Sequence, residues 1–234
     1  MRRKLRIAII VFGLVAASIG VPAALASTSS SAPQAAPLAA GPTIAQLKAR
    51  IAKGCTKVSK SNYKTDDDAS KATISICKAG TAFVWTSDMD VDCDGVRTSK
   101  CNENTDDAYQ NQTSFETSKG QPFQADSTHF FVIPLPSSRF SYQSAKIKPG
   151  TTAAVIFKNK LVYAVFADEG PSNIIGEASY ATNRDLGVNP DPNNGGTDGP
   201  VTFIVFPNAV PSPVESNSAI TSKGSSAASA WVNS

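Results

Sequence analysis

Two carboxylates, Asp168 and Glu177, stand where acid–base chemistry could be built. Asp168 closes the apolar run Leu161–Ala167, LVYAVFA, whose Val and aromatic content reads as a strand buried on both faces. Glu169, Gly170 and Pro171 follow at once, and Gly-Pro signals a turn, so Asp168 is expected at the rim where the strand leaves the core. Glu177 follows nine residues after Asp168, between Ile174-Ile175-Gly176 and Ala178. A carboxylate inside a short apolar segment is costly to bury without a purpose. Two such acids suit paired proton transfer; the bland alternative makes one of them a solvated loop acid.

The densest acidic feature is DMDVDCDG, Asp88–Gly95. In an extended chain the period of two puts Asp88, Asp90, Asp92 and Asp94 on one face. Like charges so close need protonation or a cationic partner. Calcium is one candidate, because Asp90-x-Asp92-x-Asp94-Gly95 matches the opening of a calcium loop, yet Cys101 stands where the closing Glu belongs. A positively charged substrate is the other, and a solvated acidic turn the plain reading. Other catalytic classes fare badly. His129 is the sole histidine and sits in the apolar stretch HFFVIP, where a structural role fits better. There is no G-x-S-x-G elbow, P-loop or G-x-G-x-x-G fingerprint. Carboxylates remain as the acid–base equipment, with no metal or cofactor expected, and that points to glycoside hydrolysis.

The elements that must position these acids read as mostly β. Thr73–Cys77, Thr81–Thr86, His129–Leu135, Thr151–Phe157, Leu161–Ala167, Ile174–Ser179 and Val201–Phe206 are strand candidates. Ile44, Leu47 and Ile51 recur at helical spacing over residues 43–53, with Thr43 placed to cap the start and Gly54 the end. Ala181–Leu186 reads as a short helix with Gly187 as its C-cap. Residues 96–128 are polar and aperiodic and are expected to be loops held by Cys101. Some seven strands with long loops indicate an all-β barrel with minor helices.

The 234-residue chain is long enough for one domain with a sizeable core. Residues 1–26 read as a secretory signal peptide: Arg2, Arg3, Lys4 and Arg6, an apolar stretch from Ile7 to Val21, and Ala24-Leu25-Ala26 as cleavage site. Residues 27–42 form a Ser/Ala/Pro-rich linker, 43–215 the catalytic domain, and 216–234 a weakly specified tail. The full chain has 22 basic and 19 acidic side chains; without the leader 18 basic ones remain, a net of −1. The apparent basicity thus belongs to the leader, and nothing suggests nucleic-acid binding or, after cleavage, a membrane partner. A monomer is expected. The even count of four cysteines in an exported chain favours two disulfides. Sequence proximity favours Cys55–Cys77 with Cys93–Cys101 among three possible pairings. Without a CxxC and with one His, a zinc site is disfavoured.

The segment FVWTSDMDVDCDGVRTSKCNENTDDAYQNQTSF, Phe83–Phe115, resembles the hallmark of the fungal-type chitosanases, glycoside hydrolase family 75. The resemblance continues through Lys158-Asn159-Lys160, the strand to Ala167-Asp168, and Gly176-Glu177-Ala178-Ser179, covering roughly residues 44–210. It implies endo-hydrolysis of chitosan, the partly deacetylated glucosamine polymer, with inversion. It also implies that Asp168 and Glu177 are the essential acids, with Glu169 the substitute for Asp168. Asp88, Asp90 and Asp92 would then hold glucosamine ammonium groups. Trp85 and Tyr163 are candidate sugar-stacking surfaces, against a core role for each. A second stretch, DEGPSNIIGEASYATNRDLGV, is similar in cadence to double-psi β-barrels, the class of expansins, lytic transglycosylases and family 45 endoglucanases. This implies a six-stranded double-psi barrel with Glu177 as general acid. The rival it leaves open is a non-hydrolytic, expansin-like polysaccharide-binding barrel.

Overall fold

A computed structural model describes residues 41–234; the expected leader and nearly all of the linker lie outside them. The first element is the helix α1 (Ile44–Ala52), opened by a capping box in which Thr43 and Gln46 satisfy each other's backbone N–H groups. Two short strands follow, β1 (Thr56–Lys57) and β2 (Cys77–Ala79), then the long β3 (Ala82–Asp92). The remaining strands are β4 (Phe130–Pro134), β5 (Thr152–Phe157), β6 (Lys160–Gly170), β7 (Glu177–Ser179) and β8 (Thr197–Val205). Helix α2 (Tyr180–Leu186) follows β7, and α3 (Asn217–Val232) closes the chain.

The strands run in the order β3-β7-β4-β6-β5-β8, and β8 pairs back onto β3, so six strands close a ring. The pairs β3–β7 and β4–β6 are parallel; the other pairings within the ring are antiparallel. This is the double-psi-like barrel that the sequence leads one to expect. β1 and β2 extend the sheet beyond the ring beside β3.

Alternation along the strands splits the apolar side chains into two cores. Trp85, Phe131, Val155, Phe166 and Phe203 fill the ring. Val84, Ile156, Tyr163, Val165 and Ile204 face outward and are covered by Leu47 of α1 and by Ile220, Ala228 and Trp231 of α3. The Ser/Ala-rich residues 216–234 are therefore no loose tail. Gly224 lets α3 lie against β6, since a Cβ there would sit 2.5 Å from the Tyr163 ring, and the buried Trp231 donates its indole N–H to the Ala79 carbonyl at 2.7 Å.

Other boundaries shift modestly. Of the strand expected over 73–77, Ile74 makes an isolated bridge to Tyr63 and only Cys77 joins a continuous strand. β3 runs on through the acidic stretch to Asp92, because its partners β7 and β8 continue alongside it. Gly187 caps α2 at φ 78°, a left-handed conformation that glycine adopts without strain. Cys55–Cys77 ties α1's exit to β2, and Cys93–Cys101 pins the start of the long loop after β3.

Candidate active site

Four neighbouring strands carry the site. Asp90 on β3 pairs with Glu177 on β7. β7 runs antiparallel to β4 with Phe131 opposite Ala178, so one step along, Val132 stands opposite Glu177. Val132 in turn pairs with Asp168 on β6. Asp90, Glu177, Val132 and Asp168 thus form one row across the strands, and all four line a single cavity of about 410 Å³. The two expected acids flank Val132. Their backbones lie two strand spacings apart, about 9–10 Å.

Asp168 reaches that row through a β-bulge. Phe131 pairs with Phe166 and both belong to the interior core, but the next residue, Val132, pairs with Asp168, leaving Ala167 as the extra residue. A bulge re-aims the side chains that follow it. Asp168 consequently shares Val132's face. Glu169 pairs with the interior residue Ile133, and its Oε1 accepts a hydrogen bond from the Tyr142 hydroxyl at 2.7 Å. Both acids border the cavity, but Tyr142, packed edge-on against Phe166, holds Glu169 to one side.

Asp168 is buried and firmly held. Its Oδ1 accepts from the Ser114 N–H at 2.9 Å, the Ser114 hydroxyl at 2.5 Å and the Glu169 N–H at 2.7 Å. All three bonds fall on one oxygen, which leaves Oδ2 for the cavity. Burial raises the Asp168 pKa above the usual carboxylate value, and these donors only partly oppose it. Among the described residues, those whose charges act on Glu177 are acids. Burial, followed by the charges of Asp90, Asp168, Asp94 and Asp106, pushes it up to about 8, so near neutral pH it carries a proton. Asp92 is raised well above the usual carboxylate range by burial and then by Glu177 and Asp168. Burial likewise lifts Asp94 to about 7, although the Gln110 N–H opposes it, and Asp90 to about 6 with help from Asp66. Both acids are raised by burial, but only Asp168 has hydrogen-bond donors on its carboxylate to favour ionisation, an asymmetry that suits proton transfer.

The acidic run divides. Asp90, Asp92 and Asp94 line the cavity, whereas Asp88 does not; its carboxylate lies instead with Asp66 and Asp90. The sequence Asp90-x-Asp92-x-Asp94-Gly95 does not wrap a single calcium loop, since Asp92 and Asp94 group with Asp168.

Neither aromatic residue named for sugar stacking lies at the cavity. Trp85 is 3 % exposed and stacks on Phe203 inside the ring. Tyr163 is 7 % exposed and lies beneath α3. Strand alternation assigns each to a core, so both are structural. His129 is structural as well: its Nε2 lies 2.7 Å from Asp185 Oδ2. Sequence reasoning missed Asp106, Gln110 and Ser114, which come from the aperiodic segment 96–128. That segment folds over the outer face of β3 and β6, and no periodicity marks where it docks.

Fold and site together define a β-barrel protein with a cavity lined by carboxylates. The chain belongs to the fungal chitosanases of glycosyl hydrolase group 75, whose family model matches residues 89–231. It is 30 % identical over 195 residues to endo-chitosanase C of Aspergillus oryzae, covering 80 % of this chain and 46 % of that protein. Endo-chitosanase C of A. oryzae strain ATCC 42149 / RIB 40 is 29 % identical over 199 residues, with the same coverage. The chain therefore spans about half the length of these curated relatives.

Proposed function

We propose that this chain is a secreted endo-chitosanase that hydrolyses β-1,4 bonds of chitosan with inversion. The observation that carries the reading is the row Asp90–Glu177–Val132–Asp168 opening on one cavity. Glu177, protonated, gives its proton to the leaving glycosidic oxygen. Asp168, ionised, takes a proton through Oδ2 from a water attacking the opposite face of the anomeric carbon. One bond to the leaving oxygen breaks, one bond to the water oxygen forms, and the two side chains end with exchanged protonation states that solvent resets. Inverting glycosidases keep their carboxyl groups about 6.5–9.5 Å apart to admit that water, and two strand spacings leave such room.

Asp90, Asp92 and Asp94 supply negative field at the cavity for the ammonium groups of the polymer. Ser114 acts through Asp168, fixing one oxygen so that the other is presented. Family membership and the relatives' names support chitosan as substrate. Two disulfides are in keeping with an exported protein.

The test is incubation with soluble chitosan, chitin and cellulose. Expected are new reducing ends from chitosan, short oligomers with a rapid fall in viscosity, and α-anomers as the first products by proton NMR. Binding without reducing ends would replace this reading by the expansin-like one, and β-anomers would overturn inversion.

A further inference from the structure

A second carboxylate group lies beside the cavity and shares Asp90 with it. Asp66, from the loop before β2, and Asp88 and Asp90 on β3 each present an oxygen within 4.8 Å of the others. Asp66 is exposed, but Asp88 is only 7 % exposed. Asp88 Oδ1 is fully buried without a hydrogen-bond partner, although buried polar atoms in folded proteins almost always have one. Among the described residues, none of the ion pairs involves these three acids. Asp198 adds further negative charge around Asp88.

The backbone holds the orphaned oxygen in place. Gly176, at φ +129°, runs so close that a Cβ there would lie 2.5 Å from Asp88 Oδ1, and its carbonyl accepts the Asp90 N–H at 2.7 Å. Asp88 thus has little freedom to turn away from its neighbours. Three carboxylates brought together without a counter-charge repel unless something positive joins them. Calcium binds oxygen at 2.3–2.6 Å, so two of its ligands lie at most about 5 Å apart, and the observed spacing fits. Its tolerance of irregular geometry suits one ligand from an exposed loop and two from a strand, where magnesium would demand a near-ideal octahedron.

We infer that Asp66, Asp88 and Asp90 form a calcium site that ties the 61–75 loop to β3 at the edge of the cavity. Waters and backbone carbonyls complete the coordination. Asp90 then serves two neighbours, the ion on one side and the cavity on the other. This site is separate from the Asp92–Asp94–Asp168 group and meets the cavity only through Asp90.

The experiment compares melting and calorimetric titration of the purified protein in EDTA and in calcium chloride. Extracellular calcium modules bind with Kd around 0.1–1 mM, so 10 mM calcium should raise Tm by roughly 3–10 °C. Calorimetry should show one site. Asp66→Asn and Asp88→Asn should each abolish both responses, and Asp88→Asn in EDTA should melt no lower than the parent because a repelling charge is gone. Asp168→Asn should leave the calcium response unchanged. The inference is overturned if calcium gives neither heat nor a Tm shift, if the response survives Asp66→Asn and Asp88→Asn, or if Asp168→Asn alone removes it. Because none of these measurements uses chitosan turnover, their failure leaves the hydrolytic reading standing.

Discussion

Two of the cavities among the described residues have linings opposite in charge. The one described above, about 410 Å³, is lined by sixteen residues, of which seven are acidic and none is basic. The other, about 540 Å³, is framed by Lys60, Lys78, Arg139, Phe83 and Phe140 and contains no acid. Of these two, the larger and more apolar one would be preferred on size and lining alone. A polycation, however, is drawn to the smaller one and repelled by the larger. The acidic cavity also holds carboxylates in unlike surroundings, Asp168 with three donors on one oxygen and Glu177 among like charges.

The sharpest way to break the contrast is to remove the proton donors and acceptors. Glu177→Gln and Asp168→Asn should each lower kcat on chitosan by roughly 100- to 10,000-fold with the fold retained by circular dichroism. In the parent, the basic limb of kcat/KM should lie near pH 8, where Glu177 loses its proton. Normal turnover by both variants would return the two cavities to equal standing.

Ser114→Ala removes one of the three donors on Asp168 Oδ1. Hydrogen bonds to charged groups contribute about 1.5–3 kcal/mol, so kcat should fall roughly 10- to 100-fold. The acid limb should move to higher pH, because the carboxylate is then less easily ionised. Ser114→Thr should restore both. A change in Tm without a change in the pH profile would reduce Ser114 to a packing residue.

The acidic cavity should also set how stability varies with pH. Glu177 and Asp88 near 8, Asp94 near 7 and Asp90 near 6 all lie above the unfolded values of about 4. Between those limits the folded chain holds more protons than the unfolded one, so the stabilisation present below pH 4 is lost as pH rises toward 8. In calcium-free buffer Tm should fall by several degrees between pH 5 and pH 8. A flat or rising curve would mean that these acids find counter-charges.

The smallest effects concern substrate attraction. Raising sodium chloride from 0.05 to 0.5 M should increase KM for chitosan several-fold and leave kcat nearly unchanged. Lys78→Ala and Arg139→Ala, at the basic cavity, should alter KM less than twofold. A large effect from either would show that the second cavity also meets the polymer.

Much of this molecule was legible in its residues. The apolar runs of β5 and β6, the capped helix α1 and the paired cysteines declare themselves locally, because propensity, burial and spacing agree there. Asp168 and Glu177 could be singled out because a carboxylate interrupting hydrocarbon demands a reason. What was not legible depends on tertiary contact. α3 contains Gly224 and many Ser and Ala residues, and it is held by close approach to Tyr163 rather than by a broad apolar stripe. Ser114 and Asp106 matter only once an aperiodic loop has settled on the sheet. Trp85 and Tyr163 could as well have faced a sugar as a core until pairing fixed the parity of their strands.

The extra residue at Ala167 has one more implication. Were β6 straightened, with Ala167 opposite Val132, Asp168 would turn inward beside Ile133 and Glu169 would emerge one rung further along. Which of two adjacent acids shares the face of Val132 and Glu177 is therefore decided by a hitch in strand pairing rather than by the letters themselves. Engineers who transplant this strand must carry its irregularity with it, or they will present Glu169 in place of Asp168 without changing an amino acid.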